Sequence, residues 1–284
     1  MDADRLVFES SRMPSDSDSA SPRDSREETL RKLSVLVPVF NERATVRELI
    51  ARVLAAPVPL DVEIVVVDDG STDGSWDILS EIAAQEPAVR LFRSEQNSGK
   101  GAAIRKAIGH ATGDVALVQD ADLEYDPTEY ARLLAPILAG EADAVFGSRF
   151  AHPRPDGDSA QNGSLPHRTA NRLLTTCSNL VTGLRLTDME TCYKMVRMDL
   201  LRRLRLRSNS FTIEPELTAR LAQSGAVIRE VPISYRGRTY GEGKKIGLFD
   251  FAKAFGEILR SGLWDRRFAD DDANRAGEQG QSTP

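Results

Sequence analysis

Leu33-Ser34-Val35-Leu36-Val37-Pro38-Val39 runs into Phe40-Asn41-Glu42, and Val62-Glu63-Ile64-Val65-Val66-Val67 runs into Asp68-Asp69-Gly70-Ser71. Runs as apolar as 33–39 and 62–67 are expected of strands covered on both faces. Working outward, residues 45–54 place Val46, Leu49, Ile50 and Val53 on one helical face, and 75–85, 101–110 and 127–138 read as further helices. Residues 89–93, 115–119 and 144–147 read as further strands. This alternation predicts an α/β domain, a mostly parallel sheet with helices on both faces.

The second half is less regular. Residues 153–166 hold Pro, Gly, Asp and Asn, and read as a mobile loop of the kind that forms lids or binding loops. Helices are expected over 169–182 and 213–223, the second opened by Thr212, and 226–235 is strand-like. Residues 237–247 contain four glycines and read as a flexible loop. Residues 248–263 are amphipathic, with Leu248, Phe251, Phe255, Ile258, Leu259 and Leu263 sharing a face. Residues 1–31 and 266–284 lack the apolar content to fold and are expected to be disordered tails around one domain over 32–265.

The whole chain of 284 residues is 40% hydrophobic and 28% charged, an ordinary globular balance. Its net charge is -6, and nearly all of that sits in the tails: residues 1–31 carry eight acids against five bases, and 265–284 five against three. This excludes a nucleic-acid binder. Cys177 and Cys192 are too sparse for a disulfide scaffold or a thiolate metal site, which points to a reducing, cytoplasmic setting. The opening Asp2, Asp4 and Arg5 do not resemble a signal peptide, and no uncharged apolar stretch of about 18 residues predicts a transmembrane helix.

Ligands of open α/β sheets bind beyond the carboxyl ends of the strands. There the chain places Phe40-Asn41-Glu42, Asp68-Asp69, Asp120-Ala121-Asp122-Leu123-Glu124 and Ser148-Arg149. Acids crowded at one edge are costly unless cations neutralise them. Asp120 and Asp122 can both reach one hard divalent cation such as Mg²⁺ or Mn²⁺, and Glu124 could add a third oxygen. Alone, such a pair reads more simply as a solvated, capping turn; the strand before it and the acids beside it favour the metal. Gly70 and Asp73 fit a turn leading into a helix, while one of Asp68 and Asp69 could accept hydrogen bonds from a ribose or base. Asn97-Ser98-Gly99-Lys100-Gly101 lacks the spacing of a P-loop and is read as positioning a helix, with Lys100 assisting electrostatically. His110, His152 and His167 have no ligand-like spacing.

Together, the string from Ser34 to Glu42, Val67-Asp68-Asp69-Gly70-Ser71, Asn97-Ser98-Gly99-Lys100-Gly101 and Asp120-Ala121-Asp122 resemble glycosyltransferase family 2, over residues 33–263. The nearest branch is the dolichol-phosphate mannose synthase and polyprenyl-phosphate glycosyltransferase group. The resemblance implies a GT-A type fold, a nucleotide-binding sheet followed by an acceptor-binding half. It implies that Pro38, Phe40, Glu42, Val67 and Asp69 line the nucleotide pocket with Ala121 beside them, that Arg149 lies near the donor or acceptor phosphate, and that Asp120, Asp122 and Glu124 hold Mg²⁺ or Mn²⁺. Glu124 stands where mannose synthases often carry Gln. Arg238 and Lys244, in Arg238-Thr239-Tyr240-Gly241-Glu242-Gly243-Lys244, match cations that contact phosphates. Asp188 or Glu190, in the second acidic cluster, could deprotonate an acceptor hydroxyl, a role a phosphate acceptor does not need.

The expected activity is metal-dependent, inverting transfer of a hexose from GDP-mannose or UDP-glucose to a polyprenyl or dolichyl phosphate. The alternatives are a soluble transferase acting on a polysaccharide, glycopeptide or small-molecule hydroxyl, and a nucleotide-sugar-binding protein without turnover. Residues 248–264 could seat the protein on the cytoplasmic face of a membrane, although packing on its own core is favoured.

Overall fold

The computed structural model describes residues 30–151, 165–237 and 248–264. The expectations for the two tails, for most of 153–166 and for 238–247 lie outside the described residues. Among the described residues seven strands form one sheet: β1 (Lys32–Val39), β2 (Asp61–Asp68), β3 (Val89–Arg93), β4 (Val115–Val118), β5 (Ala144–Ser148), β6 (Lys194–Arg197) and β7 (Ile228–Pro232), in the order β3-β2-β1-β4-β6-β5-β7. All neighbouring pairs are parallel except β4–β6 and β6–β5. Helices α1 (Val46–Leu54), α2 (Ser75–Gln85), α3 (Lys100–His110) and α4 (Tyr130–Leu138) follow β1 to β4 in turn; a 3-10 turn, Pro127–Glu129, opens α4. Then come α5 (Leu165–Thr182), α6 (Met198–Arg203), α7 (Ile213–Gln223) and α8 (Leu248–Leu259), with a π-helical turn, Arg260–Trp264, after α8.

The first half follows its hydrophobic pattern closely. Leu33, Val35, Leu36, Val37 and Val39 on β1 are 0–1% exposed whichever way they point, as are Ile64 to Val67 on β2. Each such side chain stabilises the fold by about 1.5–3 kcal/mol. The face of α1 expected from sequence, Val46, Leu49, Ile50 and Val53, is the buried one.

The second half departs from expectation in three places. Lys194–Arg197 is a strand, inserted antiparallel between β4 and β5. Met198–Arg203 forms a helix not expected from the sequence, while α7 opens at Thr212 as expected, with no side-chain cap bond there. On α8 the buried positions are Ala254, Glu257 and Ile258, whereas Phe255 is exposed, because the helix packs against α5 and α7 along that line. Among the described residues no helix is long and apolar enough to cross a membrane.

The amino edge of the sheet is closed by Glu63, which is 3% exposed. Its carboxylate accepts from Ser34 Oγ at 2.6 Å, from the Thr112 amide and hydroxyl at 2.5 and 2.8 Å, and from the Gly113 amide at 3.1 Å. Lys32 lies at 3.3 Å and Arg90 at 3.4 Å. Burial alone would raise its pKa, but the Ser34 and Thr112 bonds and the Lys32 charge outweigh burial and lower it to about 2.

Candidate active site at the carboxyl edge of the sheet

At the opposite edge the loops after β1 and β2 are zipped together. Asn41 sits at φ 57°, a left-handed conformation that Asn tolerates. Its Oδ1 accepts from the Thr72 amide at 2.8 Å, and its own amide donates to Ser71 Oγ at 3.0 Å. Asp73 does the work of the turn, accepting from the Arg43 amide at 2.9 Å and from Ser75 Oγ at 2.6 Å. Phe40 is 37% exposed, Pro38 and Glu42 are partly exposed, and Val67 is buried in the core of β2. A cleft of about 940 Å³ opens here, walled by Glu42, Arg43, Asp73, Asp122, Leu123 and Arg236. Its size lies in the range of small-molecule and cofactor sites.

Asp68 and Asp69 are almost wholly buried. Asp69 Oδ2 accepts from the Ser98 and Gly99 amides at 3.0 and 2.7 Å, so it caps the start of α3 from outside the helix. Asp68 Oδ2 accepts from the Ser71 amide at 3.3 Å and lies 3.4 Å from Arg93 Nε. The Oδ1 of each has no hydrogen-bond partner among the described residues. Buried orphaned acceptors are rare and mark either strain or a missing partner.

Asp120, Asp122 and Glu124 leave β4 within one turn, yet their carboxylates face different partners. Asp120 holds the ammonium of Lys100, at 2.8 and 2.9 Å from its two oxygens. Asp122 Oδ1 accepts from the Glu124 amide at 3.1 Å, and Asp122 lines the cleft. Glu124 Oε2 accepts from the Tyr235 hydroxyl at 2.7 Å. Between them Leu123 is held at φ 62°, a strained conformation for a leucine that costs about 1–2 kcal/mol. Among the described residues no three His, Cys, Asp or Glu side chains converge tightly enough to hold a metal ion, so the expected trio is not assembled as a ligand group. An oxygen-only donor set with Asp122 on the cleft does fit a Mg²⁺ or Mn²⁺ ion shared with a diphosphate, since Mg²⁺ commonly takes one or two carboxylates and completes its shell from phosphates and water. Ala121 is buried. Behind Asp120, Gln119 accepts from the hydroxyls of Tyr130 and Tyr193, both at 2.7 Å, and donates to the Asp120 carbonyl at 2.9 Å.

The other side of the site is built by β5, β6 and α5. Arg149 forks onto Asp188, with Nε at 2.6 Å from Oδ2 and a terminal nitrogen at 2.8 Å from Oδ1. The Arg149 amide and Asn171 Nδ2 add bonds of 3.0 and 3.2 Å to the same carboxylate, which is fully buried. Glu230 on β7 holds the Thr187 and Asp188 amides. Glu190 is treated differently. Its Oε1 is buried with no hydrogen-bond partner among the described residues. Burial pushes its pKa up to about 7, with Glu214 and Asp188 adding to the rise and Lys194 and Arg149 opposing it.

Several of these residues were not legible as site residues: Glu214, Lys194, Tyr235 and Asn171 come from elements that only the fold brings here. The acids of Ile213-Glu214-Pro215-Glu216 read from sequence as ordinary first-turn helix acids. Lys100 is drawn in by Asp120 and by Glu214 at 3.0 Å. Burial works against its charge, yet the acids beside it hold its pKa well above the ordinary lysine value. His110 stacks flat on Phe92, ring centroids 3.7 Å apart, and so has a structural place. His152, Arg238 and Lys244 and the side chain of His167 lie outside the described residues.

An open α/β sheet with acids gathered beyond its parallel strands and one antiparallel strand inserted is the architecture of GT-A proteins. Residues 34–205 match the model of glycosyl transferase family 2, and the chain belongs to that family. It is 31% identical over 221 residues to polyprenol monophosphomannose synthase of Mycolicibacterium smegmatis, covering 75% of this chain and 80% of that one. It is 38% identical over 119 residues to dolichol-phosphate mannosyltransferase of Pyrococcus furiosus, covering 42% of this chain and only 33% of that protein's length. Among solved structures it resembles glucosyl-3-phosphoglycerate synthase of Mycobacterium tuberculosis, in complex with Mn²⁺, UDP and phosphoglyceric acid, with a TM-score of 0.61 at 21% identity over 82% of this chain and 79% of that one.

Proposed function

We propose that the protein is an inverting glycosyltransferase that moves a hexose from a nucleotide-sugar donor, GDP-mannose or UDP-glucose, to a polyprenyl phosphate. The observation that carries this reading is the cleft at the carboxyl edge of the sheet, lined by Glu42 and Asp122. The names of the Mycolicibacterium and Pyrococcus relatives support the lipid-phosphate acceptor, and the Mn²⁺ and UDP of the solved neighbour support a divalent cation at Asp122 and Asp120.

In this reading Phe40, Glu42 and Asp69 seat the nucleotide, with Pro38, Val67 and Ala121 shaping the wall behind it. A bound Mg²⁺ or Mn²⁺ would lower the cost of negative charge on the departing nucleoside diphosphate. Arg149, fixed in orientation by Asp188, presents a cation toward phosphate oxygens, joined by Arg238 and Lys244. The acceptor oxygen forms a bond to the anomeric carbon as the bond from that carbon to the diphosphate breaks, the electron pair leaving with the nucleoside diphosphate. A proton still on the acceptor passes to Glu190, whose pKa near neutrality suits a base. Asp188, with both oxygens engaged by Arg149, positions that arginine rather than taking the proton.

Glu190 also favours a second reading, transfer to a hydroxyl, since a hydroxyl needs a base and a phosphate dianion does not. Thermal stabilisation by GDP-mannose and by UDP-glucose with Mn²⁺, read alongside radiolabel transfer to a short polyprenyl phosphate, separates the two. Stabilisation with labelled lipid product supports the phosphate acceptor and names the donor. Stabilisation without that product moves the acceptor to a hydroxyl, and no metal-dependent response to a broad donor panel would remove the transferase reading.

A further inference from the structure

Lys100 breaks a local rule. It opens α3, where the helix dipole favours an acid, and no acid stands in that first turn. Its root is fixed by close packing. Gly99 and Gly101 approach the main chain of Asn209 and Ser208 so closely that a Cβ on either would overlap a carbonyl oxygen. The Ala102 amide donates to Asn209 O at 3.2 Å. The turn at 207–208 is pinned in its turn by fully buried Glu216, which accepts from the Arg207 and Ser208 amides at 3.0 and 2.7 Å.

From that root the ammonium reaches Asp120 on one side and Glu214 on the other, with the Phe211 ring 5.7 Å away. Glu214 then accepts from Lys194, whose side chain is 0% exposed, at 2.6 Å. Charge therefore alternates through the wall of the site: Asp120 negative, Lys100 positive, Glu214 negative, Lys194 positive. A carboxylate whose two oxygens already hold an ammonium is a poor ligand for a free cation, because binding must displace the lysine or set two like charges a few ångströms apart.

The geometry points to Lys100 as a built-in counter-cation for Asp120, a positioning residue that keeps the site from taking up a divalent cation alone, so that the cation enters with the diphosphate of the donor. The added negative charge of the diphosphate offsets what Lys100 already contributes. This inference rests on the nucleotide-sugar reading and adds an order of binding to it.

The test is Mn²⁺ binding by the full chain, followed by electron paramagnetic resonance of the free ion, with and without GDP or UDP and against protein-free controls. Wild type should bind Mn²⁺ weakly alone and well with a nucleoside diphosphate. Lys100→Met should bind Mn²⁺ alone tighter, on the order of tenfold. Glu214→Gln, which leaves the lysine wholly to Asp120, should shift nucleotide-free binding the other way. Should Lys100→Met fail to fold, the double variant Lys100→Met/Glu214→Gln carries the same expectation with one fewer uncompensated acid. Folded lysine variants with unchanged Mn²⁺ affinity would overturn the inference, as would tight binding of Mn²⁺ alone by wild type. Absence of Mn²⁺ binding by wild type with any nucleotide would instead remove the metal–nucleotide site beneath it.

Discussion

Glu63 at the amino edge of the sheet and Glu190 at the carboxyl edge are the same residue in opposite circumstances. Glu63 is surrounded by donors supplied by β1 and by the turn before β4, and its pKa falls to about 2. Glu190 lies among both acids and cations, keeps a buried oxygen without a partner among the described residues, and burial raises its pKa to about 7. Burial pushes both upward; hydrogen bonds from Ser34 and Thr112 with the Lys32 charge reverse it at Glu63, while at Glu190 the charges of Lys194 and Arg149 do not overcome burial and the neighbouring acids. One edge uses its polar groups to hold the chain together, and the other leaves several buried acceptors unsatisfied.

The contrast breaks most readily at Asp122. Asp122→Ala should cut sugar transfer by about a thousandfold or more, as expected when charge stabilisation of a leaving group is lost, while the thermal midpoint stays near that of wild type. Near-normal turnover in that variant would remove the metal assignment. With a hydroxyl acceptor Glu190→Gln should lower turnover by about a hundredfold and abolish the rise in rate with pH through about 7 that a base there implies; with a phosphate dianion as acceptor the loss should be small. A variant with the wild-type pH–rate profile would place the proton elsewhere.

Stability should separate the two glutamates by sign. The lowered pKa of Glu63 contributes about 3 kcal/mol that is present above the unfolded pKa of about 4.5 and lost as pH falls through about 2. Urea unfolding of Glu63→Gln should therefore show a deficit of that order at pH 7 that closes at low pH, with transfer by the folded fraction unchanged. Glu190 runs the other way: its raised pKa means stability is full below about 4.5 and declines as pH rises through about 7. Glu190→Gln should be more stable than wild type at pH 8, by up to about 3 kcal/mol, and equal to it near pH 4. The smallest effect is expected at Tyr235→Phe, which removes the hydroxyl bonded to Glu124; about 1 kcal/mol of stability should go, measured by the same denaturant series.

What was legible in the sequence follows the same division. Strands β1 and β2 stood out because both their faces are covered and their runs are mostly apolar, whereas β3, Val89-Arg90-Leu91-Phe92-Arg93, was marked by its place in the strand–helix alternation and is only partly buried; boundaries of all three agree to within a residue or so. β6 did not stand out: Lys194-Met195-Val196-Arg197 shows two apolar residues between charges, and nothing local says that Lys194 is fully buried against Glu214. The carboxyl-edge motifs were visible because each follows an obvious strand. Their pairings were not, since the partners of Asp120, Glu124 and Asp188 lie 17 to 111 positions away along the chain. The metal trio read from Asp120, Asp122 and Glu124 assumed that neighbours in sequence share a ligand, whereas Lys100 and Tyr235 draw the first and last apart.

The insertion of β6 also bears on how the chain emerges from the ribosome. Among the described residues β5 has β6 and β7 as its sheet neighbours, and Lys194 lies 46 residues beyond Ser148. At roughly 5–20 residues per second, synthesis leaves β5 without either neighbour for roughly 2–9 s, an apolar strand with both edges open while β1 to β4 can already associate. That interval is when a nascent chain of this protein most needs protection by a chaperone.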